Sequence, residues 1–264
     1  MLGALIGDIA GSRFEWHNRR NKDFSLFAPE CRFTDDSVLT IAIAKALLEC
    51  QGDYAKLGEK TVDAMLTLGR KYPDRGYGGK FRLWLTSTYP VPYQSFGNGS
   101  AMRVSPCAWV AADENQAKEL AHKVTEVTHD HPEGFKGAEA ITMCIYFALH
   151  NKDKVFIKEY VEANYYPLHF TLDEIRPTYR FDATCQGSVP QAIEAFLEAD
   201  DFADTIHTAI SLGGDSDTIA AMAGSIAQAY YGIPPKIKAR ALTYLTEDLL
   251  AIVNTWLQQY PDRR

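Results

Sequence analysis

The sequence predicts an all-α protein, one compact multi-helix domain over residues 1–264. Three observations predict it. Apolar residues recur at helical spacing along most of the chain. Strand-like alternation is confined to one short stretch. No low-complexity linker or fixed-period repeat divides the chain.

The elements follow in order. Gly3, Gly7 and Gly11 recur every fourth residue, so on a helix they form one smooth stripe suited to close helix–helix contact. Their spacing is not the G-x-G-x-x-G of a dinucleotide fingerprint. Residues 36–50 carry Val38, Leu39, Ile41, Ile43, Ala44, Leu47 and Leu48, a face broad enough for a buried helix. Residues 53–72, 115–127, 134–150 and 187–198 repeat an amphipathic pattern, and 203–214 is a helix stopped by Gly213. An apolar, Ala/Gly-rich helix follows within 213–232, and one last helix spans 236–260 after Pro234 and Pro235. The strand candidate is 165–175, weakened by its proline. Loops are expected at 13–35, 72–102 and 128–137, rich in Gly, Pro, Asp, Asn and His, where sites usually lie.

Hydrophobic residues at 46% and charged residues at 23% are ordinary globular values. A net charge of −7 argues against general nucleic-acid binding or attraction to an anionic membrane surface. The five cysteines are widely spaced with no CxxC, which predicts buried reduced thiols rather than a disulfide framework or zinc site. The start lacks a basic n-region and carries Asp8 inside its apolar run, and no apolar run reaches membrane-span length. A soluble, cytoplasmic protein is expected.

Two acidic clusters stand out. Asp215, Asp217 and Thr218 precede the Ala/Gly-rich helix, and Thr34, Asp35, Asp36 and Ser37 precede the helix at 36–50. Each alone reads as a helix start with a favourable cap and charge. Together they aim two Thr and four Asp at one bundle. If the two starts meet, that much negative charge calls for cations, and all-oxygen donors favour Mg²⁺, Mn²⁺ or Ca²⁺ over zinc. A D-x-D-T phosphatase with Asp215 as nucleophile is disfavoured, because that string belongs after an early β-strand. Gly97, Asn98, Gly99 and Ser100 precede another helix and suit either a phosphate-cradling loop or an ordinary turn. His129 and His131 lack a third ligand and suit hydrogen bonding or capping.

The segments GALIGDIAGSRFE (3–15), FTDDS (33–37), GNGSAMR (97–103), THDHPEGFKGA (128–138) and LGGDSDTIAAMAG (212–224) occur in one order. In that order they resemble the ADP-ribosylglycohydrolase family, which includes the dinitrogenase-reductase-activating glycohydrolases, over essentially the whole chain. The resemblance implies an all-α fold with a cleft holding two divalent cations, Mg²⁺ or Mn²⁺. It implies metal ligands at Thr34, Asp35, Asp36, Asp215, Asp217 and Thr218. It places Glu15 beside the metals as first candidate for proton relay, with Asp36 second. It places Gly97, Asn98, Gly99 and Ser100 at the diphosphate, and His129 in the ADP-ribose pocket.

The implied reaction is hydrolysis at C1″ of an ADP-ribosylated substrate, a protein in the first instance, releasing ADP-ribose. Gln186, Gly187 and Ser188 stand where members acting on ADP-ribosyl-arginine often carry aromatics, so the acceptor group stays open. Rival readings are a metal-dependent ADP-ribose binder without turnover, and a hydrolase of a free metabolite or an ADP-ribosylated nucleic acid.

Overall fold

The computed structural model describes residues 1–262. Its centre is a pair of helices from opposite ends of the chain, α1 (Leu2–Gly11) and the helix Ser216–Tyr231. Every residue of α1 is buried, as are Ser216 through Ala229 of its partner, and both are apolar nearly all round, the pattern of a helix with no solvent face. The glycine stripe explains their closeness. A Cβ on Gly3 would lie 2.0 Å from the Gly224 carbonyl oxygen, one on Gly7 2.0 Å from that of Ala220, and one on Gly11 2.4 Å from Asp217 Cα. Backbone meets backbone, so no side chain fits between.

Around this pair the chain runs α2 (Asp35–Cys50), α3 (Leu57–Lys71), α4 (Gly79–Thr86), α5 (Gly99–Arg103), α6 (Ser105–Val110), α7 (Glu114–Thr125) and α8 (Pro132–Leu149). Then come α9 (Lys154–Asn164), α10 (Leu172–Ile175), α11 (Cys185–Glu198), α12 (Phe202–Leu212), the central α13 (Ser216–Tyr231), α14 (Pro235–Leu242) and α15 (Glu247–Gln259). Helices α8, α11 and α12 pack on α13, while α2 packs on α1 and is covered outside by α3 and α15. One hydrophobic core runs through the whole bundle, which is a single compact domain. All five cysteines are free and buried. No helix of the described residues is long and apolar enough to cross a membrane.

Two expectations are corrected. Residues 165–175 form no strand: they hold an irregular segment and α10, started by a capping box in which Thr171 and Glu174 satisfy each other's backbone amides. The last helix is broken at 243–246 by a turn in which the Thr243, Tyr244 and Leu245 amides donate to the Arg240, Ala241 and Leu242 carbonyls, and α15 starts afresh after Thr246. The loops expected at 72–102 and 128–137 also contain α4 and the first turns of α8. Gly213 ends α12 as expected, with φ of 75°.

Candidate functional site

The N-termini of α2 and α13 meet beside α1. Thr34 caps α2, its Oγ1 accepting from the Asp36 amide at 3.4 Å. Asp215 occupies the cap position of α13 but makes no side-chain cap bond. Its Oδ2 instead accepts from Asn98 Nδ2 at 2.7 Å, so this carboxylate is held for another use than capping. Thr218 Oγ1 donates to Asp36 Oδ2 at 3.1 Å, joining the two acidic clusters directly.

Asp8 joins them from α1. Its oxygens accept from the Thr34 amide at 2.9 Å, Thr34 Oγ1 at 2.6 Å, the Ser37 amide at 3.1 Å and Ser37 Oγ. Oxygens of Asp8, Asp36 and Asp217 lie within 4.8 Å of one another, and so do oxygens of Glu15, Asp215 and Asp217. Asp217 belongs to both groups. Asp35 belongs to neither group but lines the same cleft, close enough for Asp8 and Asp215 to raise its carboxyl, and its Oδ1 lies 3.0 Å from where a Cβ on Gly76 would be.

Burial is the first cause that raises the Asp8, Asp35, Asp36, Asp215 and Asp217 carboxyls above their ordinary range. Neighbouring carboxylates raise Asp35, Asp36 and Asp217 further. Glu15 is pushed up to about 7 by burial and then by Asp215, with Arg32 opposing. Like charges crowd here, and among the described residues none of these acids forms an ion pair with a cationic side chain. The donors suit a hard divalent cation: they are all carboxylate and hydroxyl oxygens, and Asp36 Oδ1 is buried without a hydrogen-bond partner.

Glu15 reaches this nest on the loop after α1. Asn18 fixes that loop, accepting from the Gly214 amide at 2.8 Å and donating to the Gly214 carbonyl at 3.1 Å. The turn it grips needs glycine: Gly213 and Gly214 have φ of 75° and 72°, and a Cβ on Gly214 would lie 2.5 Å from Tyr179 Cε1.

The nest forms the floor of a cleft of about 430 Å³. Gly97, Asn98 and Gly99 form one wall. The Asn98 amide donates to the Ala183 carbonyl at 2.8 Å and the Cys185 amide to the Phe96 carbonyl at 2.9 Å, tying this loop to the start of α11. Ser100 turns away from the cleft; it is fully buried and its Oγ donates to the Gly134 carbonyl at 2.9 Å. His129 lines the far end with Tyr93, and burial depresses its imidazole pKa well below the ordinary value. His131 caps α8, its Nδ1 accepting from the Glu133 amide at 3.1 Å.

Trp16 and Phe181 guard the mouth. Their rings stack with centroids 5.3 Å apart at 14°, while 68% of Trp16 and 45% of Phe181 remain exposed. Sequence reasoning missed this pair, and it missed Asp8. A lone acid inside an otherwise apolar helix was the available signal for Asp8. The aromatic pair joins segments far apart in the chain and left no periodic trace.

The ADP-ribosylglycohydrolase family model matches residues 1–264. The chain is 28% identical to the ADP-ribosylhydrolase ARH3 of Gallus gallus, over 89% of this chain and 86% of that protein. It is 27% identical to the ADP-ribosylarginine hydrolase Tri1 of Pseudomonas putida, covering 89% and 71%. It is 23% identical to the ADP-ribosyl-[dinitrogen reductase] glycohydrolase of Rhodospirillum rubrum, covering 88% and 84%. A solved ADP-ribosylglycohydrolase-related protein complex contains a chain of the same fold, with a TM-score of 0.70 and 24% identity over 98% of this chain and 95% of that one. The chain belongs to the ADP-ribosylglycohydrolase family and is a hydrolase of glycosidic bonds to ADP-ribose.

Proposed function

We propose that this enzyme uses two divalent cations, Mg²⁺ or Mn²⁺, to release ADP-ribose from an ADP-ribosylated protein, arginine being the first acceptor to test. The sharing of Asp217 between two carboxylate groups carries the reading, since one acid common to two sets of partners would suit two ions. Thr34, Asp36, Asp217 and Thr218 would hold one ion, with Asp8 behind them orienting Thr34, and Asp215, Asp217 and Glu15 would flank the other, with Asp35 completing the set from the wall. When bound, the ions supply orientation of the ribose hydroxyls and Lewis acidity near C1″.

Cleavage at C1″ develops oxocarbenium character and leaves negative charge on the departing atom. Glu15 lines the cleft at the mouth end of the nest, where its carboxyl can exchange a proton with bound substrate and water. It passes that proton to the leaving group and recovers one from the attacking water. Asp36 is the second candidate for this role, although its carboxyl is buried among other acids. Gly97 and Gly99 let the diphosphate approach the backbone closely, and Asn98 holds Asp215 rather than contacting substrate first. The Trp16–Phe181 stack offers a flat apolar surface beside Glu15, which a planar guanidinium can stack upon.

The test is turnover of arginine-, serine- and nucleotide-linked ADP-ribose side by side, with either metal, for wild type and Glu15→Gln. Arginine-linked substrate should be turned over fastest, and Glu15→Gln should lose about 10²–10⁴-fold while keeping ADP-ribose affinity. Full activity in Glu15→Gln would move the proton relay to Asp36, and preference for another linkage would replace the arginine assignment.

A further inference from the structure

Three buried side chains stand in a row at one wall of the cleft, which Arg103 and His129 help to line. Arg103 ends α5, and Thr128 and His129 follow the turn after α7. Arg103 and Thr128 are fully buried and His129 nearly so. The Arg103 guanidinium donates through NH2 to Thr128 Oγ1 at 2.8 Å and to the Val124 carbonyl at 3.0 Å. Thr128 Oγ1 and His129 Nδ1 lie 2.7 Å apart.

The direction of that last bond follows from proton counting. A guanidinium has donors and no acceptor, so Thr128 Oγ1 accepts from Arg103. The threonine proton then needs an acceptor, and His129 Nδ1 is the one in reach among the described residues. If Nδ1 carried a proton instead, Thr128 would accept twice and its own hydrogen would be left unpaired in a buried place. That arrangement costs the hydroxyl its water hydrogen bond with nothing in return, so the donated one is favoured.

We propose that Arg103 and Thr128 act as positioning residues that fix His129 as the neutral Nε2–H tautomer, so that it presents one N–H donor to a phosphoryl oxygen on the Gly97–Gly99 loop. The ligand half of this inference rests on the reading that the cleft takes ADP-ribose. Nε2 faces that loop: a Cβ on Gly99 would lie 3.4 Å from it and one on Gly97 3.8 Å. Burial first, and then the Arg103 charge, disfavour the imidazolium. His129 therefore recognises the ligand by a directed hydrogen bond rather than by charge. Direction matters here, because an Nδ1–H imidazole would turn a lone pair toward the phosphate and repel it.

Ring ¹⁵N–¹H correlation spectra of the intact, ligand-free protein read the tautomer directly. His129 should show a bare Nδ1 and a protonated Nε2 near neutral pH. Thr128→Val keeps the shape but removes the hydroxyl; it should give a tautomer mixture, bind ADP-ribose about tenfold more weakly, and bind adenosine, which lacks the diphosphate, as wild type does. Thr128→Ser should restore the single tautomer and the ADP-ribose affinity. A wild-type His129 found as Nδ1–H or as imidazolium would overturn the relay, as would a Thr128→Val protein with the wild-type tautomer. Wild type with His129 as Nε2–H but no ADP-ribose binding would uphold the relay and overturn the ligand reading.

Discussion

Gly7→Ala probes the contact on which both core and site depend. The new Cβ would lie 2.0 Å from the Ala220 carbonyl oxygen, about 1.4 Å short of the ordinary contact that begins at 3.4 Å. Both neighbours at the clash are backbone, so no rotamer change relieves it, and α1 and α13 must part. Overpacking of a core costs about 1–3 kcal/mol, and a backbone clash belongs at the top of that range. About 3 kcal/mol lowers the Tm of a chain this size by about 6–12 °C. The same parting moves Asp8, next along α1, away from Asp217. Displacing a group that orients metal ligands weakens metal binding by about 10–100-fold. Thermal unfolding and Mn²⁺ titration calorimetry measure the two effects. Gly58→Ala is the matched control: its nearest neighbour would lie 3.8 Å away, inside α3, so it should be neutral or stabilising by up to about 1 kcal/mol. A Gly7→Ala protein with wild-type Tm and wild-type Mn²⁺ affinity would refute the reasoning.

Adding Mn²⁺ or Mg²⁺ should raise Tm and chelation should lower it without unfolding the chain, because ions bind the assembled nest and not its dispersed acids; a Tm indifferent to both sinks the metal assignment. Asp217→Asn should abolish that metal-dependent rise, since both carboxylate groups share this acid, and should raise the Tm of the metal-free protein by relieving repulsion. Asp35→Asn should weaken metal binding less, and equal losses in the two variants would contradict the geometry. Glu194, buried in α11 with Oε2 unpaired, is pushed up to about 7 by burial, Lys158 opposing. A carboxyl raised in the fold costs stability above that pH and costs nothing below the unfolded value, where both states are protonated. Glu194→Gln should therefore raise Tm at pH 8 by several degrees, worth about 1–3 kcal/mol, with the gain fading as pH falls through 7 toward 4.5. A gain that grows on acidification would reverse the sign and reject the account.

Long periodic stretches were legible in the sequence because a helix of three or more turns imposes its period on many residues, as in 36–50 and 203–214. Helices α5 and α6, of five and six residues, are too short to show one. The segment around α10 misled because its residues alternate as a strand's do, while the Thr171-x-x-Glu174 start signal stood in the same stretch. The acidic strings drew notice as a pair, since either alone also reads as a helix cap. Which of them converge was not legible. Asp8 enters the nest because of how α1 and α2 meet in three dimensions. Ser100 carried a ligand-facing expectation, yet its hydroxyl is taken by the Gly134 carbonyl.

A seam of glycines has no rotamers and hence no slack. The distance between α1 and α13 is fixed by one backbone surface resting on another, and the carboxylates riding on those helices inherit that single value. Glu15 is mounted differently, on a loop gripped by the two Asn18 bonds to Gly214. The acids thus sit on a seam that yields little, whereas Glu15 sits on a surface loop held by hydrogen bonds. Under the proposed two-ion reading, a substitution that spreads the seam would change which ionic radius the acids fit. One in the surface loop would act on Glu15 first.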